Sequence, residues 1–215
     1  MPSATHAPHT PLPKPLRTQL ENTVKAARDV AEKAGRAALV QLAVAEPKVP
    51  DYLAEPQRVL RRKLRAHARA ISASSSQNHS ESNSIELQAL VWEVAYEHWH
   101  RMLFARFLAE SDLLMHPDGY PVSLADCKED AERLDPPARS EWEVAGHYAS
   151  AMLPNVFRPD SPALALQLPL ETEQALETLL ARLPATVFQA DDSLGWSYQF
   201  WQAPKKAEVQ QQMRQ

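Results

Sequence analysis

Five arginines, most of them three or four residues apart, lie in a segment that contains no acidic side chain. They are Arg58, Arg61, Arg62, Arg65 and Arg69, within residues 56–71. If this segment is helical, most of them project from one side. Such a stripe can neutralise phosphates and give DNA affinity that is independent of sequence and sensitive to salt. The alternative is a solvated helix face, or a face that pairs with acids of another domain. Both interpretations stay open, and the five arginines are our candidate DNA-binding residues.

Four aromatic side chains cluster near the end of the sequence. Trp196, Tyr198, Phe200 and Trp201 follow closely after Gly195. Rings of this kind can stack on the bases of a single strand. Their more usual fate is burial against the helices of the same chain or against a neighbouring domain.

Residues that could hold a flipped base or a nucleotide cofactor are not grouped in a suitable way. The run Asp135-Pro136-Pro137-Ala138 has an acid and two prolines, but Ala138 stands where a stacking aromatic is needed. It is better interpreted as a helix end followed by a loop. The glycines are too far apart to build the turn that holds such a cofactor, at positions Gly35, Gly119, Gly146 and Gly195. We therefore expect neither catalytic nor cofactor-binding residues in this chain.

A metal site or a cysteine nucleophile is also not expected. His98 and His100 are two residues apart, so on a helix they face different directions and do not share one metal ion easily. Cys127 is the single cysteine. It is better explained as a small buried side chain than as a nucleophile.

Composition favours helices and disfavours several classes of protein. The 215 residues include 4 glycines and 18 prolines, and 44% of them are hydrophobic. The absence of a long apolar run predicts no membrane span, and the start of the sequence lacks the features of a secretory signal. A single cysteine fits a reducing compartment, so we expect a cytoplasmic protein. The net charge of −4 means that any DNA contact must come from a local patch.

Apolar periodicity predicts an all-α fold, an irregular multi-helix array with a disordered Pro-rich N-terminal arm. Helices are predicted over 16–45, 56–71, 85–114, 123–134, 140–153, 171–183 and 194–200. The helix over 85–114 is apolar around most of its circumference, which predicts a central position.

Composition also suggests an order of domains. We predict a disordered arm at 1–15, N-terminal helices including the basic one at 16–71, and a Ser-rich linker at 72–84. A helical domain at 85–209 and a tail at 210–215 that leads to an absent catalytic domain complete the predicted organisation.

Three stretches carry a resemblance to a known group of enzymes. They are Ala95 to Glu110 (AYEHWHRMLFARFLAE), Tyr148 to Asp160 (YASAMLPNVFRPD) and Asp191 to Val209 (DDSLGWSYQFWQAPKKAEV). In their order and spacing they resemble the N-terminal helical region of large single-chain adenine-specific DNA methyltransferases. That group includes type IIG restriction–modification enzymes and the methylases of phage-exclusion systems. The resemblance covers about residues 20–209.

The resemblance implies a role beside a catalytic domain. Enzymes of this family transfer a methyl group from S-adenosylmethionine to N6 of adenine in duplex DNA, using a separate parallel-sheet domain. This chain would then support that domain, with S-adenosylmethionine as the cofactor of the full-length enzyme, and the chain alone would be inactive. Trp196, Tyr198, Phe200 and Trp201 would be the domain-docking residues. The alternative is a stand-alone helical module that binds a protein partner and catalyses nothing.

Overall fold

Small and apolar side chains at helical spacing form the first long helix, α1 (Lys14–Gln41), which begins directly after Pro13. The computed structural model describes residues 10–74, 82–134 and 137–212. Within them the other helices are α2 (Glu55–Ser74), α3 (Ser82–Glu110), α4 (Leu124–Arg133), α5 (Glu141–Met152), α6 (Pro154–Phe157), α7 (Pro162–Ala165), α8 (Leu170–Ala181), α9 (Ala185–Phe188) and α10 (Ser193–Gln212). No strand is formed in these ranges, so the prediction of an all-α, irregular array is confirmed.

Helix α3 lies at the centre of the array, as its apolar circumference predicts. It packs against α1, α2, α5, α7, α8, α9 and α10. Three buried clusters follow one another along it. The first joins α3 to α1, α8, α9 and α10 around Trp99, and the second joins its N-terminal half to α1, α2 and α7 around Leu90. The third joins its C-terminal end to α4, α5 and α6 around Leu108.

Small residues let α1 approach α3 closely. Ala27, Ala31 and Ala34 are buried along one side of α1, next to Gly35. A Cβ atom at Gly35 would lie 3.2 Å from Cγ1 of Val94, so the glycine fits a tight contact with α3. The glycine inside this helix therefore has a packing reason.

The predicted boundaries at the arm and at the linker need correction. Residues 1–9 of the arm lie outside the described residues, but Leu12 is 4% exposed and belongs to the first cluster. Residues 72–74 continue α2 and 82–84 begin α3, while 75–81 lie outside the description. Helices on both sides of the predicted linker share the first two clusters, so the linker does not separate two packing units.

Among the described residues, no helix combines the length and the apolar character that a bilayer crossing requires.

Candidate functional site

A pocket of about 230 Å³ lies between α3, α6 and α10. We call it the aromatic pocket, because most of its lining side chains are rings. Its α3 wall consists of Tyr96, Trp99, His100, Leu103 and Phe104. Val156 of α6 and four residues of α10 complete it, namely Leu194, Ser197, Tyr198 and Trp201.

The α3 wall is built by spacing. Tyr96, His100 and Phe104 are four residues apart, so their rings lie one above another on one face of the helix. The ring centroids of Tyr96 and His100 are 5.1 Å apart, and those of His100 and Phe104 are 5.6 Å apart. Phe157 stacks on Phe104 at 5.4 Å, which extends this wall to α6. The sequence shows this four-residue repeat, but Tyr96 and Phe104 alone do not distinguish a pocket wall from an apolar helix face.

The α10 wall has one buried and one exposed ring. Trp201 is 1% exposed, and its ring lies 5.7 Å from that of Tyr96 at an angle of 58°. Tyr198 is 54% exposed and meets Tyr96 edge-on at 6.4 Å. The Nε1 atom of Trp201 is buried and has no hydrogen-bond partner among the described residues. An unpaired buried donor of this kind is costly unless something else accepts from it.

The surroundings of two pocket residues, His100 and Tyr96, favour their neutral forms. Burial is the main cause that lowers the pKa of His100, and the nearby Arg158 guanidinium is the second. Burial is also the main cause that raises the pKa of Tyr96, and the neighbouring Tyr198 is the second. Both shifts favour the uncharged side chain at neutral pH. None of the described residues that line the pocket is an Asp, Glu, Lys or Arg.

Arg158 and two glutamates form a charged group next to this site. Arg158 follows α6 in a left-handed conformation with φ 41°, and its Nη2 donates to Oε1 of Glu97. It also lies 3.4 Å from Oε1 of Glu93. Burial raises the pKa of Glu97. The hydrogen bond from Ser161 and the charge of Arg158 act in the opposite direction. The Arg158 charge is therefore paired within the chain.

Helix α10 is held against α1 by an arginine that replaces one missing backbone hydrogen bond. Pro204 lies inside α10 and has no N–H to donate to the carbonyl of Phe200. Arg28 of α1 supplies the donor, with Nη1 at 3.5 Å from that carbonyl and 3.2 Å from the carbonyl of Trp201.

The start of α10 is fixed by the N-terminal residues. Asp192 accepts the backbone N–H of Leu12 at 2.7 Å through Oδ1 and Nε1–H of Trp196 at 2.7 Å through Oδ2. The Leu12 hydrogen bond is the main reason that the pKa of Asp192 is lowered. The segment predicted as the end of a disordered arm therefore positions a wall of the pocket.

The four predicted docking aromatics divide into two pairs. Tyr198 and Trp201 line the aromatic pocket. Trp196 and Phe200 stack on each other at 5.6 Å, and both pack against the first buried cluster. The guanidinium of Arg17 lies 4.5 Å from the centre of the Trp196 ring. Of the four side chains, Tyr198 is the one that is mostly exposed.

The predicted arginine stripe also divides, because its side chains do not all face solvent. Arg61 is 3% exposed and donates to the carbonyls of Ala43, Glu46 and Lys48. These carbonyls belong to the segment that follows α1. Arg61 is thus a buried structural side chain, and the expectation that it belongs to an exposed DNA-contact face needs correction.

Two further arginines of the stripe hold the same region. Arg65 donates to the carbonyl of Val44 at 2.6 Å, and Arg58 donates to that of Leu53 at 2.7 Å. Arg62 and Arg69 are exposed. The exposed part of the predicted stripe is therefore Arg62 and Arg69.

The remaining candidates occupy structural positions. Nε2 of His98 lies 3.0 Å from the carbonyl oxygen of Leu166, and burial lowers the pKa of this histidine to about 4. Cys127 is buried, which raises the pKa of its thiol to about 11. Within the described ranges, no three His, Cys, Asp or Glu side chains are grouped in a way that could hold a metal ion.

The glycines do not build a cofactor turn either. Gly35 lies in α1, Gly119 in a turn, Gly146 in α5 and Gly195 in α10. A Cβ atom at Gly146 would lie 2.5 Å from Nε of Arg101, so this glycine makes room for a partly buried arginine. The residues described here do not fit the nucleotide part of S-adenosylmethionine in the way that a Gly-rich turn does.

Comparison of the chain with protein-family models gave no match, and no significant match was found among curated proteins or solved structures.

Proposed function

We propose that this chain is the helical domain of an S-adenosylmethionine-dependent, adenine-specific DNA methyltransferase that acts in restriction or phage defence. In this proposal the helices support a catalytic domain, help to hold DNA and work in the cytoplasm. The methyl-transfer chemistry belongs to the catalytic domain.

The observation that carries the proposal is the convergence of the three resembling stretches in space. Residues 95–110 supply the α3 wall of the aromatic pocket, 148–160 supply Val156, and 191–209 supply the α10 wall. Stretches that are far apart in sequence thus form one local structure. This is the arrangement expected if the resemblance reflects a shared structural unit centred on α3.

Contact with a catalytic domain is assigned to the exposed edge of α10. Tyr198 presents a ring that is 54% exposed at the mouth of the aromatic pocket. Aromatic side chains that are apolar on one side and polar at the tip are common at protein interfaces. The buried Trp201 acts on this surface by holding α10 in place.

Auxiliary DNA contact is assigned to Arg62 and Arg69, which project from α2 into solvent. Reversing both charges, in Arg62→Glu with Arg69→Glu, is expected to weaken binding to a labelled duplex at low salt. The slope of log K against log salt should fall by about 2, since each neutralised phosphate contributes about 0.9. The matched control is Lys128→Glu with Arg133→Glu on α4, where both side chains are also exposed. Equal loss in both double variants would remove this part of the proposal.

A genetic experiment tests the function itself. The coding segment for this chain is deleted in frame from cells that produce it, and N6-methyladenine is then mapped in their DNA by single-molecule sequencing. We expect methylation at one sequence motif to disappear and to return on complementation. Unchanged methylation at every motif would contradict the methyltransferase assignment and would favour the stand-alone interaction module.

A further inference from the structure

We propose that a smaller pocket, between α2, α3 and the segment that follows α1, binds one phosphate group through Arg65 and Arg69. The proposal goes beyond the proposed function, because it assigns a site for a single tetrahedral oxyanion that does not depend on methyl transfer. The phosphate can be free in solution or part of a DNA backbone, and these two sources are separated by experiment.

This pocket has a size and a lining that suit a small anion. We call it the arginine pocket, because Arg65 and Arg69 are the charged residues that line it. Its volume is about 40 Å³. A buried water molecule needs about 10–15 Å³, so the pocket has room for about three waters or for one anion of the size of phosphate. The other lining residues are apolar, namely Val44, Ala45, Ala68, Leu87 and Leu90.

Backbone carbonyls hold Arg65 in place and leave part of its guanidinium unused. Its Nη1 donates to the carbonyl oxygen of Val44 at 2.6 Å and to that of Glu46 at 2.5 Å. Its Nε–H and Nη2–H groups donate to none of the described residues. These two groups form the side of a guanidinium that binds two oxygens of one oxyanion at once. Arg65 is therefore positioned and still has a bidentate donor pair for a ligand.

Arg69 lies one turn further along α2 and is folded back towards Arg65. Its Nε donates to the carbonyl oxygen of Arg65 at 3.2 Å, and its two Nη groups donate to none of the described residues. Its side chain is exposed, so it stands where the arginine pocket opens to solvent. A carboxylate has two oxygens and saturates one guanidinium, whereas a phosphate has enough oxygens for both.

The positive charge at this pocket is not neutralised by the described side chains. Arg61 lies beside Arg65, since both donate to the carbonyl oxygen of Glu46. None of Arg61, Arg65 and Arg69 forms an ion pair with a described carboxylate. Like charges at short distance repel each other, so a bound anion relieves this repulsion.

The apolar floor of the pocket strengthens the attraction. Val44, Ala68 and Leu90 are buried and exclude water from its inner side. A hydrogen bond is electrostatically stronger where the local dielectric is low. The arginine pocket therefore favours an anion over the water that otherwise fills it.

Calorimetric titration of the full chain with inorganic phosphate tests the site. Sodium chloride keeps the ionic strength constant, so that a general effect of salt is removed. We expect saturable binding of one phosphate per chain, and binding of acetate that is weaker by at least about tenfold, because acetate engages one guanidinium at a time. No saturable binding of phosphate, or equal binding of acetate, would overturn the proposal.

Two variants of α2 locate the site. Arg69→Gln should weaken phosphate binding by about tenfold, because a charged hydrogen-bond donor is lost. The matched control Arg62→Gln removes another exposed arginine of the same helix, which does not line the arginine pocket. It should change phosphate binding by less than about twofold, since a solvated charge outside the pocket is screened. Equal effects of the two variants would refute the assignment.

A substitution at Ala45 tests the pocket without removing an arginine. Ala45 is exposed and lines the pocket, so a carboxylate at this position can occupy the arginines in place of phosphate. Ala45→Glu should abolish phosphate binding, whereas Ala45→Gln, which has the same size and no charge, should retain it. Retained phosphate binding in Ala45→Glu, with circular dichroism unchanged, would contradict the proposal.

A short duplex without terminal phosphates distinguishes the two sources. If the DNA backbone supplies the phosphate, Arg69→Gln and Ala45→Glu weaken duplex binding, and inorganic phosphate competes with the duplex for the original chain. If the ligand is free phosphate, both variants lose phosphate binding and bind the duplex as the original chain does. Both results support the site. Binding of the duplex without any binding of inorganic phosphate would overturn the proposal and would leave the methyltransferase assignment to its genetic test.

Discussion

Acidification should weaken the fold through His98, whose neutral ring is held between α3 and α7. Burial is the main reason that its pKa falls from 6.5 to about 4, and a nearby Arg101 acts in the same direction. The hydrogen bonds to the carbonyls of Leu166 and Ala163 oppose this shift. At neutral pH the ring therefore has its proton on Nε2, which donates to Leu166.

The sign of the effect follows from proton binding. Between pH 6.5 and about 4 the unfolded chain binds a proton at His98 and the folded chain does not, so stability rises with pH in this window. The contribution is complete above pH 6.5 and decreases as the pH falls towards 4. The whole pKa shift corresponds to a loss of folding stability of at most about 3 kcal/mol, because each pKa unit is worth about 1.4 kcal/mol. At a pH of about 4.5 the linkage relation gives a loss of about 2.5 kcal/mol.

Urea unfolding followed by circular dichroism measures this loss. The variant His98→Gln keeps an N–H donor of similar reach and removes the titration. We expect the free energy of unfolding of the original protein to fall by about 2.5 kcal/mol more than that of the variant between about pH 7 and pH 4.5. Other titrating groups are common to both proteins and cancel in the difference. Parallel curves for the two proteins over this range would refute the reasoning.

Three substitutions test other parts of the fold, each by urea unfolding. Gly146→Ala should lower the free energy of unfolding by about 1–3 kcal/mol, as overpacking does, because the new methyl group collides with Arg101. A neutral effect would show that the arginine moves aside freely. Arg28→Met should cost about 1–2 kcal/mol, since two carbonyls of α10 lose their donor, and stability equal to the parent would contradict this role. Arg61→Met should lower the free energy of unfolding by about 2–3 kcal/mol. The exposed control Arg62→Met should lower it by less than about 0.5 kcal/mol. Similar losses in both variants would contradict the buried role of Arg61.

Local sequence patterns were sufficient to predict the helices and the centre of the array. Each long helix has an apolar stripe at helical spacing, and α3 is apolar on several sides, which places it among several neighbours. The short helices α6, α7 and α9 were not predicted. Each has four residues, so no apolar period can be recognised in it.

Tertiary acceptors explain why the arginine face was predicted less well. Spacing shows that Arg61 and Arg65 share a side of α2, but it does not show what that side meets. The partners are backbone carbonyls of residues 43–48, which have no signature in the side-chain pattern. The same holds for Arg28, because the open carbonyl at Phe200 becomes visible only when Pro204 is known to lie inside a helix.

The pocket itself was not predicted. Tyr198 and Trp201 were predicted as domain-docking residues, and His100 was considered only as a metal ligand. The other rings of the α3 wall were counted as part of an apolar helix. Its members Tyr96, His100 and Phe104 look alike in both roles, since a ring that lines a pocket also packs on its neighbours. The long-range hydrogen bond between Leu12 and Asp192 could not be predicted from either segment alone.

Methyl transfer from labelled S-adenosylmethionine to a duplex that contains adenine tests the division of labour most directly. Two samples are compared, the purified chain of 215 residues and the material that an antibody against it isolates from cells that produce it. We predict that the isolated material labels N6 of adenine and that the chain alone transfers none. Labelling by the chain alone, or none by the isolated material, would contradict the account.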